Sequence, residues 1–411
     1  QSPSSDTYNI EGVGLPFYQG KTEFGDLYPT PEKWCSLPKK LAEKDDILIS
    51  VRAPVGPTNL CPEKSCIGRG LAALRPKNMP TKYFLHYLRY IEKEWDSKAT
   101  GTTFKAITGD VLRNQEIPLA PLSEQERIVN RIEELFSDLD AGAAGLERVR
   151  AGLRRYQESV LNVAICGKLV KQIDSEGNAT ELLENILEHR KTIPARNKNP
   201  LSPDFSNVFS TPSLPISWAW ATLDQLTWSV RDGMHFSPEY VSEGVPFITG
   251  GNVRPTGVDF EKAKRISREL HNKLIRFKPD KGDILYTKGG TTGIARVNTY
   301  DIEFNVWVHV AVLKLCKNID PFYIQHALNS PFCYQQSQKY THGVGNQDLG
   351  LTRMIKILIP LPPLDEQRRI VAEVERRLSV VRQVESAVEV GLVRAGRLRQ
   401  SVLRSAFEGR L

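Results

Sequence analysis

The chain contains one long segment twice. Residues 122–136 read Leu-Ser-Glu-Gln-Glu-Arg-Ile-Val-Asn-Arg-Ile-Glu-Glu-Leu-Phe, and residues 364–378 read Leu-Asp-Glu-Gln-Arg-Arg-Ile-Val-Ala-Glu-Val-Glu-Arg-Arg-Leu. The register between the copies holds without a gap over residues 117–169 and 359–411. The fold must therefore contain two equivalent elements, and whatever precedes each of them is presented twice.

Each copy carries apolar residues at seven-residue spacing, which is typical of a coiled coil. We predict two long helices that pair along a seam interrupted at Gly142 in the first copy and at Arg377, Gly391 and Ser405 in the second. The predicted seam residues are Ile128, Ile132, Leu135, Leu139, Leu146, Leu153, Val160, Ile370, Val374, Val381, Val388 and Val402. The spacing alone leaves open whether the helices pair in parallel or antiparallel.

Both helices have recognisable end signals. A proline-containing segment precedes each one, and Ser123 and Asp365 are the predicted N-caps because their side-chain oxygens can accept a free first-turn N–H. Gly167 and Gly409 are the predicted C-terminal caps, since glycine readily adopts the left-handed conformation that ends many helices.

The segments in front of the helices also repeat. Gly244-Val-Pro-Phe-Ile-Thr-Gly resembles Gly14-Leu-Pro-Phe-Tyr-Gln-Gly, and Gly282-Asp-Ile-Leu-Tyr-Thr resembles Asp45-Asp-Ile-Leu-Ile-Ser. We predict two tandem globular domains of mixed α/β (α+β) structure, each followed by a long helix. The predicted boundaries are 1–117 (first domain), 118–169 (first long helix), 170–213 (linker with a short helix), 214–358 (second domain) and 359–411 (second long helix).

The first domain differs from the second at its start, and it is expected to end in a short strand. The opening of the second domain, residues 214–223, has no counterpart before Gln1, so we expect the native chain to have further residues there. A short strand is expected over residues 112–119, leading into the first long helix.

Composition limits the class of protein. There are 55 Lys and Arg against 48 Asp and Glu, giving a net charge of +7, which is compatible with a polyanionic partner. The six cysteines form no Cys-x-x-Cys pair and the histidines have no metal-ligand spacing, so we expect free thiols, a cytoplasmic location and no metal site. The sequence has no run of eighteen apolar residues, and no membrane association is expected.

No enzyme motif is complete. Asn329-Ser-Pro-Phe lacks the first proline of the Asn/Asp-Pro-Pro-Tyr/Phe tetrad of amino-methyltransferases. Lys288-Gly-Gly-Thr-Thr-Gly is not followed by the Gly-Lys-Ser/Thr of a phosphate-binding loop. We therefore predict no catalytic residues in this chain.

Taken together, these motifs resemble one family closely. Two α/β domains, each followed by a Pro-Leu-x-Glu-Gln helix that ends in Gly-Lys/Arg-Leu, together with Leu-Pro-x-x-Trp at residues 214–218, are similar to the DNA specificity subunit of type I restriction-modification systems. The resemblance implies that each globular domain is a target recognition domain for one half of a bipartite site in double-stranded DNA. It also implies an antiparallel coiled coil that spaces the two domains and docks two methyltransferase subunits.

The resemblance further implies that catalysis lies on other subunits. No cofactor is expected on this chain. S-adenosylmethionine is expected on the methyltransferase subunits, and ATP on the restriction/translocase subunits of the full complex.

The candidate DNA contacts lie on loops after the matched strands, because base readout needs polar groups and phosphate binding needs cations, hydroxyls and free N–H groups. In the first domain they are Gln19, Lys21, Ser50, Arg52, Thr102, Thr103 and Lys105. In the second domain they are Thr249, Asn252, Arg254, Thr287, Lys288, Thr291, Thr292, Arg296, His342, Asn346 and Gln347.

Two alternatives remain open at this point. The chain could be a coiled-coil scaffold that does not bind DNA, which a salt-sensitive DNA-binding assay would exclude. It could also be the specificity subunit of another restriction system or of a methylation-only system, which the neighbouring genes would distinguish.

Overall fold

The chain forms two compact units. The structure is a computed structural model that describes residues 2–101, 105–193, 199–206, 208, 210–343 and 347–411. One unit comprises Gln1–Val149 with Ala387–Leu411, and the other comprises Arg150–Ser386. Each unit contains one globular domain and a part of each long helix. The division therefore falls inside the long helices and not at the predicted boundaries near residues 118, 170, 214 and 359, which follow the ends of secondary-structure elements.

The two long helices are Leu122–Ile165 and Leu364–Phe407, each of 44 residues. The predicted N-caps are wrong by two positions, because the helices begin at Leu122 and Leu364 and the N-cap positions are therefore Pro121 and Pro363. In the first helix, the Pro121 carbonyl already accepts the N–H groups of Glu124 and Gln125.

The glutamine of the repeated Glu-Gln motif fixes the start of each helix. Gln125 donates from Nε2 to the Ala120 carbonyl over 2.8 Å, and Gln367 donates from Nε2 to the Pro362 carbonyl over 2.9 Å. These side chains tie each helix to the extended segment in front of it.

The predicted glycine caps at the other ends are confirmed. Gly167 and Gly409 have φ angles of 67° and 70°. The Lys168 N–H donates to Val163 over 3.1 Å, and the Arg410 N–H donates to Ser405 over 2.8 Å. Both helices thus end in the Schellman arrangement.

The first unit contains two sheets and short helices. The five-stranded sheet has the order Tyr8–Asn9, Lys33–Cys35, Leu15–Tyr18, Ser65–Ile67, Leu41–Ala42, and the three-stranded sheet has the order Thr58–Leu60, Ile47–Ser50, Leu71–Leu74. The α-helices of the globular part are Thr81–Tyr90, Trp95–Lys98 and Gly109–Arg113, and the 3₁₀ turns are Ser5–Thr7, Lys21–Glu23 and Glu92–Glu94.

The second unit repeats this plan with additional strands. The four-stranded sheet has the order Thr227–Asp232, Val310–Leu315, Ile284–Thr287, Ala295–Val297. The three-stranded sheet has the order Lys264–Ile266, Val245–Ile248, Asn305–Val306. Two further strand pairs are Val253–Arg254 with Gly257–Val258, and Leu358–Leu361 with Ala219–Thr222. Its α-helices are Ala179–Thr192, Leu223–Leu226, Arg268–Lys273, Pro321–Leu328, Pro331–Tyr340 and Leu351–Met354, and its 3₁₀ turns are Asp174–Glu176, Gly250–Asn252 and Ile275–Phe277.

Strand pairing confirms that the two globular domains are repeats. Leu15–Tyr18 pairs antiparallel with Lys33–Cys35 and parallel with Ser65–Ile67. Its counterpart Val245–Ile248 has the same two kinds of neighbour. The mixed helix and sheet content and the tandem arrangement agree with the predicted fold class.

The strand predicted over residues 112–119 is wrong. The helix Gly109–Arg113 covers the start of this segment, and residues 115–121 belong to no strand. In the second unit the corresponding strand Leu358–Leu361 pairs with Ala219–Thr222. The described part of the first unit contains no strand equivalent to Ala219–Thr222. Residues 115–121 therefore have no strand with which to form β-sheet hydrogen bonds.

Within each unit the globular domain is hydrogen-bonded to the segment that leads into a long helix. Tyr83 donates its hydroxyl to the Pro118 carbonyl over 2.8 Å, and Tyr323 donates to the Pro360 carbonyl over 2.7 Å. In the second unit Trp218 also donates from Nε1 to Glu366 Oε2 over 2.9 Å. Two of the sequence motifs, Leu-Pro-x-x-Trp and Pro-Leu-x-Glu-Gln, thus meet in one hydrogen bond.

The short helix predicted within the linker is present at Ala179–Thr192, where it joins the core of the second unit. Ala179 and Ile186 are buried in the same apolar cluster as Tyr323. Arg190 is buried as well, and its Nη2 lies 3.2 Å from Asp224 Oδ1.

The two long helices contact each other within each unit. In the first unit Asp140 accepts a hydrogen bond from Arg399, and in the second unit Gln157 donates to Glu385 over 3.2 Å. All twelve predicted seam residues are buried or half-buried, whereas Val149 and Tyr156, which continue the heptad spacing, are 45% exposed. Among the described residues, no helix is both long and apolar enough to cross a membrane.

Candidate nucleic-acid interface

The candidate loops of the second unit lie together. Gly289 and Asp348 form an antiparallel bridge, and the Gly290 N–H donates to the Gln347 carbonyl over 3.1 Å. A β-carbon built on Gly250 would lie 3.0 Å from the Gly289 carbonyl oxygen, so the third loop approaches at the same place. Three segments that are far apart in sequence thus form one loop cluster.

The first unit brings its candidate loops together in a similar way. Arg52 and Ala106 form a bridge, and the Ala53 N–H donates to the Lys105 carbonyl over 3.1 Å. Gly70 connects this pair of loops with the third one. Its carbonyl accepts the Val51 N–H over 2.9 Å, and a β-carbon built on it would lie 2.4 Å from the Gln19 carbonyl oxygen.

The structure sorts the candidate residues by exposure. Exposed side chains are Gln19, Lys21, Arg52, Lys105, Arg254, Thr291, His342 and Gln347, and half-buried ones are Thr249 and Arg296. Buried side chains are Ser50, Asn252, Thr287, Lys288 and Thr292. Thr102, Thr103 and Asn346 lie outside the described residues.

Lys288 is the candidate whose predicted role agrees least with its surroundings. Its side chain is 6% exposed, and its Nζ lies 3.0 Å from Asp348 Oδ1 and 3.4 Å from Asp232 Oδ2. It also donates to the Val308 carbonyl over 3.2 Å. The DNA contact of Lys288 stays a prediction, and in this structure its ammonium group neutralises two carboxylates inside the loop cluster.

The other buried candidates also have structural partners. Asn252 Oδ1 accepts hydrogen bonds from the Thr249 N–H and hydroxyl, over 2.9 and 2.8 Å. The Thr287 hydroxyl accepts the Ile294 N–H over 2.9 Å, and the Thr292 hydroxyl lies 3.1 Å from that of Thr341. Ser50 donates to the Arg52 carbonyl over 3.0 Å. These side chains hold the loops in shape.

Several exposed cations in the clusters have only surface partners. Lys105 Nζ lies 2.6 Å from Asp96 and Arg254 lies 3.3 Å from Asp259. The half-buried Arg296 instead donates to the Pro255 carbonyl over 3.0 Å. Exposed ion pairs contribute about 0–1 kcal/mol each, so such cations can exchange a carboxylate for a phosphate at little cost. They are the groups best suited to contact a DNA backbone.

The sequence did not single out the residues that organise the second cluster. Asp232, at the end of its strand, has Oδ2 3.4 Å from Lys288 Nζ and Oδ1 3.4 Å from His235 Nε2. His309 lies beside Gly289, and burial followed by the charge of Lys288 lowers the pKa of its imidazole. The only sequence signal for this site is the Asp-Gly pair that ends a strand-like run at residues 227–232, and that pattern is too common to identify a site.

Comparison with known proteins identifies the family. The family model for the type I restriction modification DNA specificity domain matches residues 36–144 and 233–377, which is more than half of the chain. The chain belongs to the type I restriction-modification DNA specificity family. Both matched segments contain candidate loops described above, and the suspected resemblance is confirmed. The specificity subunits of this family are the DNA-recognising, non-catalytic components of type I systems.

Individual relatives carry the same family description. The putative type I restriction enzyme MjaX specificity subunit of Methanocaldococcus jannaschii is 40% identical over 171 residues, which are 41% of this chain and 39% of that relative. The chain thus aligns with well under two thirds of that protein. The type I restriction enzyme EcoBI specificity subunit of Escherichia coli is 24% identical over 373 residues, which are 89% of this chain and 74% of that relative.

A solved structure shares the fold of this specificity-family chain. It comes from work on complex assembly and conformational transition of the type I restriction-modification system, and it aligns with a TM-score of 0.63 at 19% identity. The alignment covers 98% of this chain and 92% of that one. At this level of identity the likeness shows a common fold.

Proposed function

We propose that this chain is the non-catalytic DNA-recognition subunit of a type I restriction-modification complex. The observation that carries the proposal is the recurrence, in both repeats, of a three-loop cluster that follows the matched strands and bears exposed polar or cationic side chains. Each cluster binds one half of a bipartite site in double-stranded DNA. The two clusters differ in their residues, so the two half-sites differ in sequence.

The exposed candidates divide into two roles by chemistry. Lys21, Arg52, Lys105 and Arg254 bind phosphates, because their charges lie on the surface of the loops. Gln19 and Gln347 supply both donors and acceptors and are suited to base edges in the major groove. The buried candidates, Lys288 included, support these contacts from inside.

The long helices form an antiparallel coiled-coil spacer in this proposal. Support comes from the order of contacts within the units. Asp140 of the first helix contacts Arg399 of the second, whereas Gln157, farther along the first helix, contacts Glu385, which comes earlier in the second. A helix of 44 residues is about 66 Å long, and this length sets the separation of the half-sites.

The partners follow from family membership. The helices dock two methyltransferase subunits, which bind S-adenosylmethionine, and the complete assembly adds restriction/translocase subunits, which use ATP. A cytoplasmic location is part of the same proposal, because the DNA and the other subunits are there.

The test is DNA binding by the purified full chain, alone and with its methyltransferase subunits, measured by fluorescence anisotropy at several salt concentrations. We expect Arg52→Ala and Arg254→Ala each to weaken binding and to reduce the slope of log affinity against log salt by about one. Arg131→Ala is the matched control, since Arg131 is an exposed arginine on the first long helix, paired with Glu134. Equal affinity and slope for all four proteins would contradict the proposed interface.

A further inference from the structure

Phe236 is a large apolar side chain that the second unit exposes next to its loop cluster. It is 61% exposed, and the preceding His235 has 72% of its side chain exposed. Both follow the strand Thr227–Asp232, which also carries the exposed Arg231. A single exposed apolar side chain is ordinary on a protein surface, so the position of Phe236 next to the loop cluster is what points to a ligand.

The segment that carries Phe236 is fixed to the rest of the unit. Met234 is buried and forms a parallel bridge with Trp307, and its carbonyl accepts the Val308 N–H over 3.2 Å. Gly233 lies so close to the next strand that a β-carbon on it would be 1.8 Å from the Val306 carbonyl oxygen. The backbone two residues before Phe236 is therefore held firmly, and the ring is presented at a defined place.

That place adjoins the candidate DNA-binding loops. Lys288 donates to the Val308 carbonyl, one residue from the Met234–Trp307 bridge, and its Nζ also lies 3.4 Å from Asp232. The carboxylate of Asp232 in turn lies 3.4 Å from His235, the immediate neighbour of Phe236. The segment that carries Phe236 thus adjoins Lys288, which lies in the same loop as Thr291 and pairs with Asp348, the residue after Gln347.

We infer that Phe236 is an apolar base-contacting residue for the half-site bound by the second unit. Polar loop residues distinguish bases by hydrogen bonding, but a thymine methyl group or an opened base step is recognised by an apolar surface. Phe236 supplies this surface among polar neighbours. The inference rests on the proposed function and adds a contact by a large apolar side chain, which none of the candidate loop residues has.

The experiment is selection of binding sites from a randomised duplex pool by the full chain, with its methyltransferase subunits, followed by affinity measurements on the selected duplex. We expect Phe236→Ala to weaken binding about 10- to 100-fold and to lose preference at one or two adjacent base pairs of one half-site. The other half-site and the salt slope remain as in the unmodified chain. Phe236→Leu retains part of the preference, because it keeps an apolar surface.

Phe322→Ala is the matched control. Phe322 is a 37% exposed phenylalanine of the same unit, but it lies in the first turn of the helix Pro321–Leu328, where the Asp320 N–H donates to Gln367 of the second long helix. It should leave affinity and site preference unchanged, and melting temperatures of all variants verify folding. If the unmodified chain selects a site and Phe236→Ala selects the same site with affinity within twofold, the inference is wrong while the proposed function stands. If the unmodified chain selects no site, both are wrong.

Discussion

Leu146 of the first long helix occupies the space beside Gly391 of the second. A β-carbon on Gly391 would lie 2.8 Å from Leu146 Cδ1. In the sequence this glycine interrupts the heptad pattern, but in the structure it is a point of close approach between the two helices of the first unit. A gap in the apolar pattern is thus filled from the facing helix.

Two glycine substitutions test this contact. Gly142→Ala places its methyl group where no atom lies within 4 Å, so it should stabilise the protein by about 1 kcal/mol through helix propensity alone. Gly391→Ala has the same propensity gain but must displace the end of Leu146, so it should stabilise less. Gly391→Leu should destabilise the protein by about 1–3 kcal/mol. Chemical denaturation gives the three free energies, and equal gains for the two alanine variants would contradict the close approach.

The buried pair of Arg190 and Asp224 gives a second prediction. Arg190→Ala should destabilise the second unit by about 3–5 kcal/mol, because it leaves the Asp224 carboxylate buried without its cation. Lys191→Ala, at the adjacent exposed position, should cost less than about 0.5 kcal/mol. Urea denaturation compares the two, and similar small losses for both would show that the helix Ala179–Thr192 is not part of the core.

A third prediction concerns pH. Burial, followed by the charges of Arg89 and Lys82, lowers the pKa of His86 from 6.5 to about 4. The unfolded chain therefore binds a proton between these values that the folded chain does not. The stability linked to His86 is fully present above pH 6.5 and is lost as the pH falls toward 4, by up to about 3 kcal/mol.

His86→Leu should remove this part of the pH dependence while retaining stability near pH 7. The free energy of unfolding, measured from pH 7.5 to pH 4 for both proteins, is the test. An equally steep loss in the variant would assign the acid sensitivity to other groups.

The fourth prediction separates structural from DNA-binding cations. Lys288→Ala should destabilise the second unit by about 3 kcal/mol, since Asp232 and Asp348 lose their shared partner. Arg52→Ala should change stability by less than about 0.5 kcal/mol, because the side chain is exposed, and should weaken DNA binding. Thermal unfolding and DNA affinity measured on the same two variants decide between the roles. A stable Lys288→Ala protein that binds DNA more weakly would restore the phosphate contact that the sequence suggested.

Much of the fold could be predicted because the chain repeats. The agreement between residues 14–20 and 244–250 located equivalent strands, and the heptad spacing located both long helices. The N-caps were placed two residues late because the Pro121 carbonyl already accepts first-turn N–H groups. The strand expected near residue 117 did not form because a β-strand needs a neighbouring strand to bond to. The apolar pattern of a short segment does not show whether such a neighbour exists.

The candidate site was predictable as a group of loops but not residue by residue. Glycine-rich segments after matched strands indicated where loops would lie, and the structure brings them together. Whether Lys288 points to solvent or inward depends on Asp232 and Asp348, which are 56 and 60 residues away in the sequence. Phe236 gave no signal, because an isolated phenylalanine in a loop predicts a core residue more often than an exposed one.

Selection from a randomised duplex pool is the most direct test of two recognition units held at a fixed separation. The full chain, with its methyltransferase subunits, is incubated with the pool, and the bound duplexes are sequenced. We expect two short, different sequence blocks separated by a spacer of constant length and random sequence. Changing the spacer by five base pairs, which is half a helical turn, should lower affinity at least tenfold. A single block, a freely variable spacer, or no enrichment would contradict this expectation.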